Sequence, residues 1–459
     1  MEKKDIVIVR FPPSPTGFLQ MGNVRTLIYN YLFAKKHGGK FLVRIEDTDK
    51  VRSTKEYEDA IFSDLEWLGL DYDNKQEVWR SSERNDVYKS KIQELLKNGS
   101  AYISEETEGE NKEVVRFKNP GGKIKFHDLI RGDIEIDVND LGDFIIARNI
   151  NDPLYHLAVC IDDVESGITH IIRGDDHISN TPRQILILEA LGGKRPIYAH
   201  LPLVLAPDKS KLSKRKHGES VSLKYYKEKG YEPQAVLNFL ALIGWNPGTD
   251  QEIFTLEELV KAFDLSKVQK KGGIFNVEKL DWVNREHILH TPLKSQISNL
   301  KSEINKTKFQ NHQKISDGEF IEKFLKIILD RVHRWGEVSE LLEAGEFDYL
   351  FETPVLDPEK ITWKNQTKEE AKNNLEQLLK ILAPSPLQGE ARPPGRHVGR
   401  GIRGEVEKFA EKEGKGETLW PLRYSLSGKE KSPDPFTLIQ ILGKQETIDR
   451  IQNAIETLK

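Results

Sequence analysis

The sequence predicts an alternating α/β N-terminal half, interrupted by an α+β insertion and followed by an all-α C-terminal part. Three observations predict it. A short apolar run at 6–9 precedes a Pro/Gly loop and a helical apolar stripe, and the same strand–helix alternation returns at 168–191. Between 100 and 150, brief apolar runs separated by Gly turns read as small strands. From about residue 225 the apolar spacing becomes mostly helical.

Each element follows in order. The uninterrupted run Ile6, Val7, Ile8, Val9 suits a strand buried on both faces. Val24, Leu27, Ile28, Tyr31 and Leu32 share one face of a helix that Gly38-Gly39 closes. Phe41, Leu42 and Val43 form the next strand, which ends in the acidic Glu46, Asp47 and Asp49, and a second helix fits 54–68. Strands are expected at 114–117, 123–126, 134–136 and 144–147, all within an insertion of about 100–145. A strand at 168–173 and a helix at 182–191 resume the first pattern. Phe320, Phe324, Ile327, Ile328 and Trp335 mark one amphipathic helix; 375–382 and 448–458 mark others. The expected division is 1–225, 226–310 and 311–459. Residues 384–404 hold four Pro, five Gly and four Arg with a single acid, which predicts a mobile loop whose Arg residues are available to a nucleic-acid backbone.

Composition narrows the function. With 37% hydrophobic and 31% charged residues the chain reads as soluble, and its longest apolar runs are far too short to cross a bilayer. No apolar signal core follows the N-terminus, so a cytoplasmic location is expected. The single cysteine, Cys160, excludes an internal disulfide framework and a zinc site built on several thiolates; between Val159 and Ile161 it reads as a buried apolar residue. A net charge of −4 argues weakly against nucleic-acid contact, but residues 209–216 hold five Lys or Arg and no acid.

Four constellations carry chemistry. The run from Arg10 through Ser14, Gln20 and Gly22 to Asn23 joins a buried strand to a helix N-terminus, where free N–H groups and the helix dipole suit a phosphate and Gly22 admits a nucleotide close to the backbone. Lys211, Ser213, Lys214 and Arg215 form a basic loop able to close over a polyphosphate and stabilise charge on a leaving pyrophosphate. Arg173, Asp175, Asp176 and His177 follow a strand, at the carboxyl end where such folds bind ligands; Arg173 suits a carboxylate fork. The run Arg44-Ile45-Glu46-Asp47-Thr48-Asp49 lies at another strand end, and its carboxylates suit an ammonium group. Taken singly, each has an ordinary alternative: a structural βα loop, a solvated basic face, a loop salt bridge, or helix capping.

Order and spacing together are more specific. Residues 10–49 (beginning RFPPSPTGFLQMGN), 155–184, 211–218 (KLSKRKHG), 253–268, 275–284 and 421–455 resemble the glutamyl-tRNA synthetases of class I. The resemblance covers nearly the whole chain and is thinnest over 290–415. It implies a Rossmann-like catalytic domain with an acceptor-end insertion, a helical stem-contacting region and a helical anticodon-binding domain. It implies a two-step reaction: the glutamate α-carboxylate attacks the α-phosphate of ATP, and the terminal ribose 2′-hydroxyl of tRNA then attacks the activated carbonyl. Magnesium accompanies the ATP, tRNA is needed for the first step, and the enzyme is a monomer. The partners are L-glutamate and tRNA(Glu), with tRNA(Gln) left open as a second substrate.

Carried over position by position, the resemblance gives Arg10, Ser14, Glu46, Tyr155 and Arg173 to glutamate. It gives Ser14, Gly22, Asn23, His177, Lys211, Ser213, Lys214 and Arg215 to ATP, with Lys214, Lys211 and Gln20 closest to catalysis. Two departures stand out. Gln20 occupies the place of the family's usual histidine; its amide still donates but cannot become cationic. The stretch 101–105 lacks the cysteines that some members use for zinc, so no protein-held metal is expected. Gln20 also motivates the alternative of a catalytically weak or non-catalytic tRNA-binding paralogue.

Overall fold

The computed structural model describes residues 6–106, 112–382 and 398–459, with 398–402 as backbone alone. The chain forms two compact units, Met1–His287 and Ile288–Lys459.

The first unit opens with β1 (Ile8–Phe11), α1 (Met21–Lys36), β2 (Lys40–Val43) and α2 (Lys55–Trp67). β1 and β2 are parallel, with Ile8 opposite Lys40 and Phe11 opposite Val43, so this strand runs two residues beyond the apolar stretch that announces it. Gly38, at φ +60°, makes the left-handed turn out of α1 that a side chain would resist. α1 is apolar on more than the one expected face. Tyr29 and Ala34 are also fully buried, and the Tyr29 hydroxyl donates to the Ile243 carbonyl at 2.9 Å, because helices from later in the chain cover the second side. Thr54 caps α2 by accepting from the Tyr57 N–H.

Helix α3 (Asn85–Lys97) precedes β3 (Ala101–Glu105), β4 (Glu113–Phe117), β5 (Lys123–Asp128), β6 (Gly132–Asp137), β7 (Phe144–Asn149) and β8 (Asp152–Pro153). β3, β4, β7 and β8 form an antiparallel sheet. The β5–β6 hairpin joins a different one. After α4 (Tyr155–Glu165), β9 (His170–Gly174), α5 (Thr181–Ala190) and β10 (Ile197–Leu201), the order β6-β5-β10-β9 places the hairpin beside β10. β5 and β10 pair parallel at Asp128 and Tyr198. These two strands were expected inside the insertion; their partner β10 lies some seventy residues downstream, which local spacing cannot reveal. Thr169, just ahead of β9, ties that strand to β1: its N–H donates to the Ile8 carbonyl at 3.0 Å and its Oγ1 accepts from the Ile8 N–H at 2.8 Å.

The unit continues through β11 (Val204–Leu205), α6 (Lys214–His217), α7 (Leu223–Glu228), α8 (Pro233–Leu242), α9 (Leu256–Ala262) and β12 (Gly273–Ile274) into α10 (Val277–His290), within which the division at 287/288 falls. α8 and α9 bury Leu237, Leu240 and Leu259 in the same core as β1, α1 and β2.

The second unit is helical: α11 (Leu293–Ile304), α12 (Gly318–Leu329), α13 (Gly336–Glu343), α14 (Asp348–Phe351), α15 (Pro358–Ile361), α16 (Lys368–Leu382), α17 (Val398–Glu413), α18 (Lys415–Ser427), α19 (Pro435–Leu442) and α20 (Lys444–Thr457). Its core already includes Leu300, Ile304 and Phe309, ahead of the 310/311 boundary drawn from sequence. The helix expected to reach from Phe320 to Trp335 stops at Leu329. The chain turns there, Glu337 accepts from the His333 N–H at 2.6 Å, and Val332 and Trp335 still face the core. Of the segment expected to be a loop, residues up to 397 lie outside the described part, whereas 398–404 form the first turns of α17. That helix buries Val406 and Ala410 further along.

Candidate active site

Eleven of the residues singled out by sequence line one cavity of about 410 Å³: Arg10, Ser14, Gln20, Gly22, Asn23, Glu46, Tyr155, Arg173, Asp176, His177 and Lys211. Backbone bonds build its floor. The Glu46 N–H donates to the Pro13 carbonyl at 3.0 Å and the Thr54 N–H to the Pro15 carbonyl at 3.1 Å, which pins the Pro-rich loop to the chain just after β2 and to the start of α2. Gln20 then stands at the N-cap of α1 with extended backbone, and its side chain caps nothing. The amide is therefore uncommitted at the positive end of a 16-residue helix, an arrangement suited to a phosphate.

Beside the cavity lies a buried charge cluster. Arg10 donates to Asp163 from Nε at 3.2 Å. Arg44 donates to Glu46 and to Asp163, both at 2.9 Å. Arg84 and the Tyr88 hydroxyl, each at 2.8 Å, hold Asp162. Arg10, Arg44 and Arg84 thus balance Glu46, Asp162 and Asp163, as buried charges require. Burial opposes the Asp163 carboxylate, but Arg10 and Arg44 outweigh it and keep its pKa below the ordinary value. Burial likewise raises Glu46, with Arg44 pulling the other way. Tyr155 is pushed up to about 12, first by burial and then by Glu46, so it stays a neutral donor.

Arg173 differs. It is buried, yet each of its hydrogen-bond partners is uncharged. Nε donates to His200 Nε2 at 3.2 Å, one terminal nitrogen to Gln184 Oε1 at 2.6 Å, and the other to Thr181 Oγ1 at 2.8 Å and the His177 carbonyl at 3.5 Å. Of the three guanidiniums that line the cavity, Arg10 has its charge met by Asp163, whereas Arg173 and Arg25, the latter bonded to the Ile243 and Pro202 carbonyls, have no carboxylate partner among the described residues. His177 has its pKa lowered to about 4, chiefly by burial and then by Arg173, and acts as a neutral hydrogen-bonding ring. Lys211 reaches Asp176 at 2.9 Å. Lys214 instead pairs with the exposed Glu219 at 2.9 Å, and neither it nor Ser213 or Arg215 lines the cavity. Ser213 serves as N-cap residue of the short α6. Cys160 is buried with its thiol 3.6 Å from the Gln184 carbonyl. Among the described residues, no three His, Cys, Asp or Glu side chains converge on a metal site, and no helix is long and apolar enough to cross a membrane.

Residues 6–113 and 103–282 match the family described as tRNA synthetases class I (E and Q), catalytic domain. The chain belongs to that family. Residues 299–455 match an anticodon binding domain. The glutamate–tRNA ligases of Carboxydothermus hydrogenoformans and Aquifex aeolicus are each 38% identical to it, over 98% of this chain and 99% of theirs. A glutamate tRNA ligase from Elizabethkingia meningosepticum, solved in complex with its amino acid, superposes with a TM-score of 0.85 at 32% identity, covering 99% of this chain and all of that one. A glutamate–tRNA synthetase from Elizabethkingia anophelis gives 0.82 at 31% identity, covering 98% of this chain and all of that one.

Within this synthetase site, sequence reasoning missed the partners of its own candidates. Arg44 opens the acidic run that holds Glu46, and its pairing with Glu46 carried a signal, since residues two apart along an extended strand point the same way. Asp163, Asp128, Gln184 and His200 carried none, because each reaches the site from a different element. Gly22 gives a direct test. A Cβ there would meet nothing within 4 Å, so it would enter the open cavity. Gly22→Ala is expected to keep or slightly raise thermal stability, by at most ~1 kcal/mol from helix propensity, while the KM for ATP rises. An unchanged ATP titration would show that no nucleotide approaches the backbone at this point.

Proposed function

We propose that this class I synthetase attaches L-glutamate to tRNA at the cavity between β1, α1 and β9. Attachment of glutamate to tRNA is the activity carried in the names of its full-length relatives. The observation that carries the residue-level reading is Arg173, a buried cation without a counter-ion at the end of β9. A dicarboxylate supplies the missing anion. Arg173 and Arg10 hold its carboxylates, and Glu46 and Tyr155 hold its ammonium end, with Ser14 beside them. ATP lies along the start of α1, against Gln20, Gly22 and Asn23, with His177 near the adenosine and Lys211 near the phosphates. One carboxylate oxygen of glutamate attacks the α-phosphorus as the bond to pyrophosphate breaks. The 2′-hydroxyl of the terminal ribose of tRNA then attacks the activated carbonyl and AMP leaves. Magnesium enters with the ATP phosphates; Asp176 and Glu46 are the carboxylates lining the cavity.

Lys214, Ser213 and Arg215 act after their loop moves inward, Lys214 exchanging Glu219 for the leaving pyrophosphate. The chain works as a monomer in the cytoplasm, on tRNA(Glu) and also on tRNA(Gln) if its anticodon unit accepts both. The division into catalytic, stem-contacting and anticodon-reading parts follows the same reading. The paralogue alternative gains no support: Arg173 and Lys211 line an open cavity, and the relatives named above are ligases. Charging purified tRNA(Glu) and tRNA(Gln) side by side with labelled glutamate tests the proposal; charging of neither overturns it. Gln20→His is expected to raise the rate of adenylate formation, because a histidine can add positive charge where phosphate charge grows. A large fall in the tRNA-dependent exchange of pyrophosphate into ATP would show a site rebuilt around the amide.

A further inference from the structure

Asp128, at the end of β5, and His200, on β10, are both fully buried, and neither belongs to any motif that points to the reaction. Asp128 accepts from four donors: the Ile130 and Arg131 N–H groups at 2.9 and 2.8 Å, and the His200 N–H and Nδ1 at 3.0 and 2.7 Å. The opposite ring nitrogen, Nε2, lies 3.2 Å from Arg173 Nε. An arginine Nε always carries hydrogen, so Nε2 must accept and Nδ1 must hold the ring proton. The tautomer is therefore set by Asp128 on one side and by the Arg173 Nε–H on the other, where the Thr181 hydroxyl also lies 3.0 Å from Nε2. Tyr198 stacks on the ring, with centroids 5.9 Å apart and planes 10° from parallel.

We propose that the Asp128–His200 pair is a positioning device for Arg173: it fixes the guanidinium through a neutral acceptor and so leaves the positive charge unspent for the substrate. A carboxylate placed directly on Arg173 would hold it equally well, yet would neutralise it, as Asp163 does for Arg10. The uncharged imidazole separates the two jobs. Burial lowers the His200 pKa while Asp128 opposes it, which keeps the ring in the accepting form. The inference rests on Arg173 binding a glutamate carboxylate.

The test is tRNA-dependent pyrophosphate exchange by the full chain, with glutamate and ATP varied separately. Asp128→Asn offers the ring an amide and frees it to take the other tautomer, whose Nε2–H faces the Arg173 Nε–H. The KM for glutamate is expected to rise about ten- to a hundredfold, with the KM for ATP unchanged. His200→Ala should do the same, and His200→Gln, whose carbonyl oxygen replaces Nε2 as acceptor, should restore most of the loss. This pair keeps the test open if the Asp128 variant unfolds on a thermal melt. Equal rises in both KM values, or no better binding with glutamine than with alanine at 200, would overturn the positioning role. Arg173→Lys measured in parallel separates the two claims: an unmoved glutamate KM there defeats the Arg173 reading itself, whereas a raised one with unaffected Asp128 and His200 variants defeats only the present inference.

Discussion

Replacing Arg173 with methionine is expected to raise the KM for glutamate steeply and to leave the folded chain at least as stable. Removing one partner of a buried, hydrogen-bonded charge pair costs about 2–4 kcal/mol of binding, roughly 30- to 1,000-fold in affinity. Arg173 is suited to an effect at the upper end of that range. Its charge has no carboxylate partner among the described residues, and its partners His200, Gln184 and Thr181 are uncharged. Stability should move the other way, because a buried cation without a counter-ion is a burden that an apolar side chain of similar volume relieves. Arg10→Met should behave in the opposite manner and lower stability, since it would leave the buried Asp163, Glu46 and Asp162 with one cation fewer, Arg44 alone remaining on Asp163. Glutamate titrations and thermal melts of the two variants check this together. Equal destabilisation by both would mean that Arg173 is structural.

Lys214→Ala is expected to lower the rate of adenylate formation by about 10²–10³, with little change in the KM for ATP and none in the melting temperature. Lys214 and Glu219 are both more than half exposed, and an ion pair so open to water contributes almost nothing to folding. The same weakness lets the ammonium leave Glu219 for a polyphosphate of higher charge. Its role is then confined to the step in which charge builds on pyrophosphate, which separates kcat from KM. Single-turnover adenylate formation is the decisive measurement. A raised KM with an intact rate would assign Lys214 to ground-state ATP binding, and no effect would leave Lys211 as the working cation of this loop.

The two lysines show how far the sequence can be read. The basic loop announces itself by composition, and Lys211 does line the cavity. Which lysine faces inward depends on Asp176 and Glu219, one from beyond β9 and one from the next turn of the chain. Gln20 and Gly22 were legible because a strand, a Pro-rich loop and a helix N-terminus follow one another without interruption, so local rules fix their setting. α12 was legible in its first three turns and misjudged in its last, because Trp335 keeps helical spacing while the chain between them turns.

By itself the sequence determined the alternating β/α start, the helical second half, the Pro-rich loop that leads into a helix N-terminus, and the basic loop. These are local properties, set by periodicity, by turn residues and by charge along a few neighbouring positions. Only the tertiary structure decided that β5 and β6 extend the sheet of β10 and β9, that Asp163 consumes the charge of Arg10, and that Asp128 and His200 stand behind Arg173. The reason is distance along the chain. Those partners are separated by up to 153 residues, and a buried charge finds its counter-ion, or fails to, only when the strands and helices that carry them have packed.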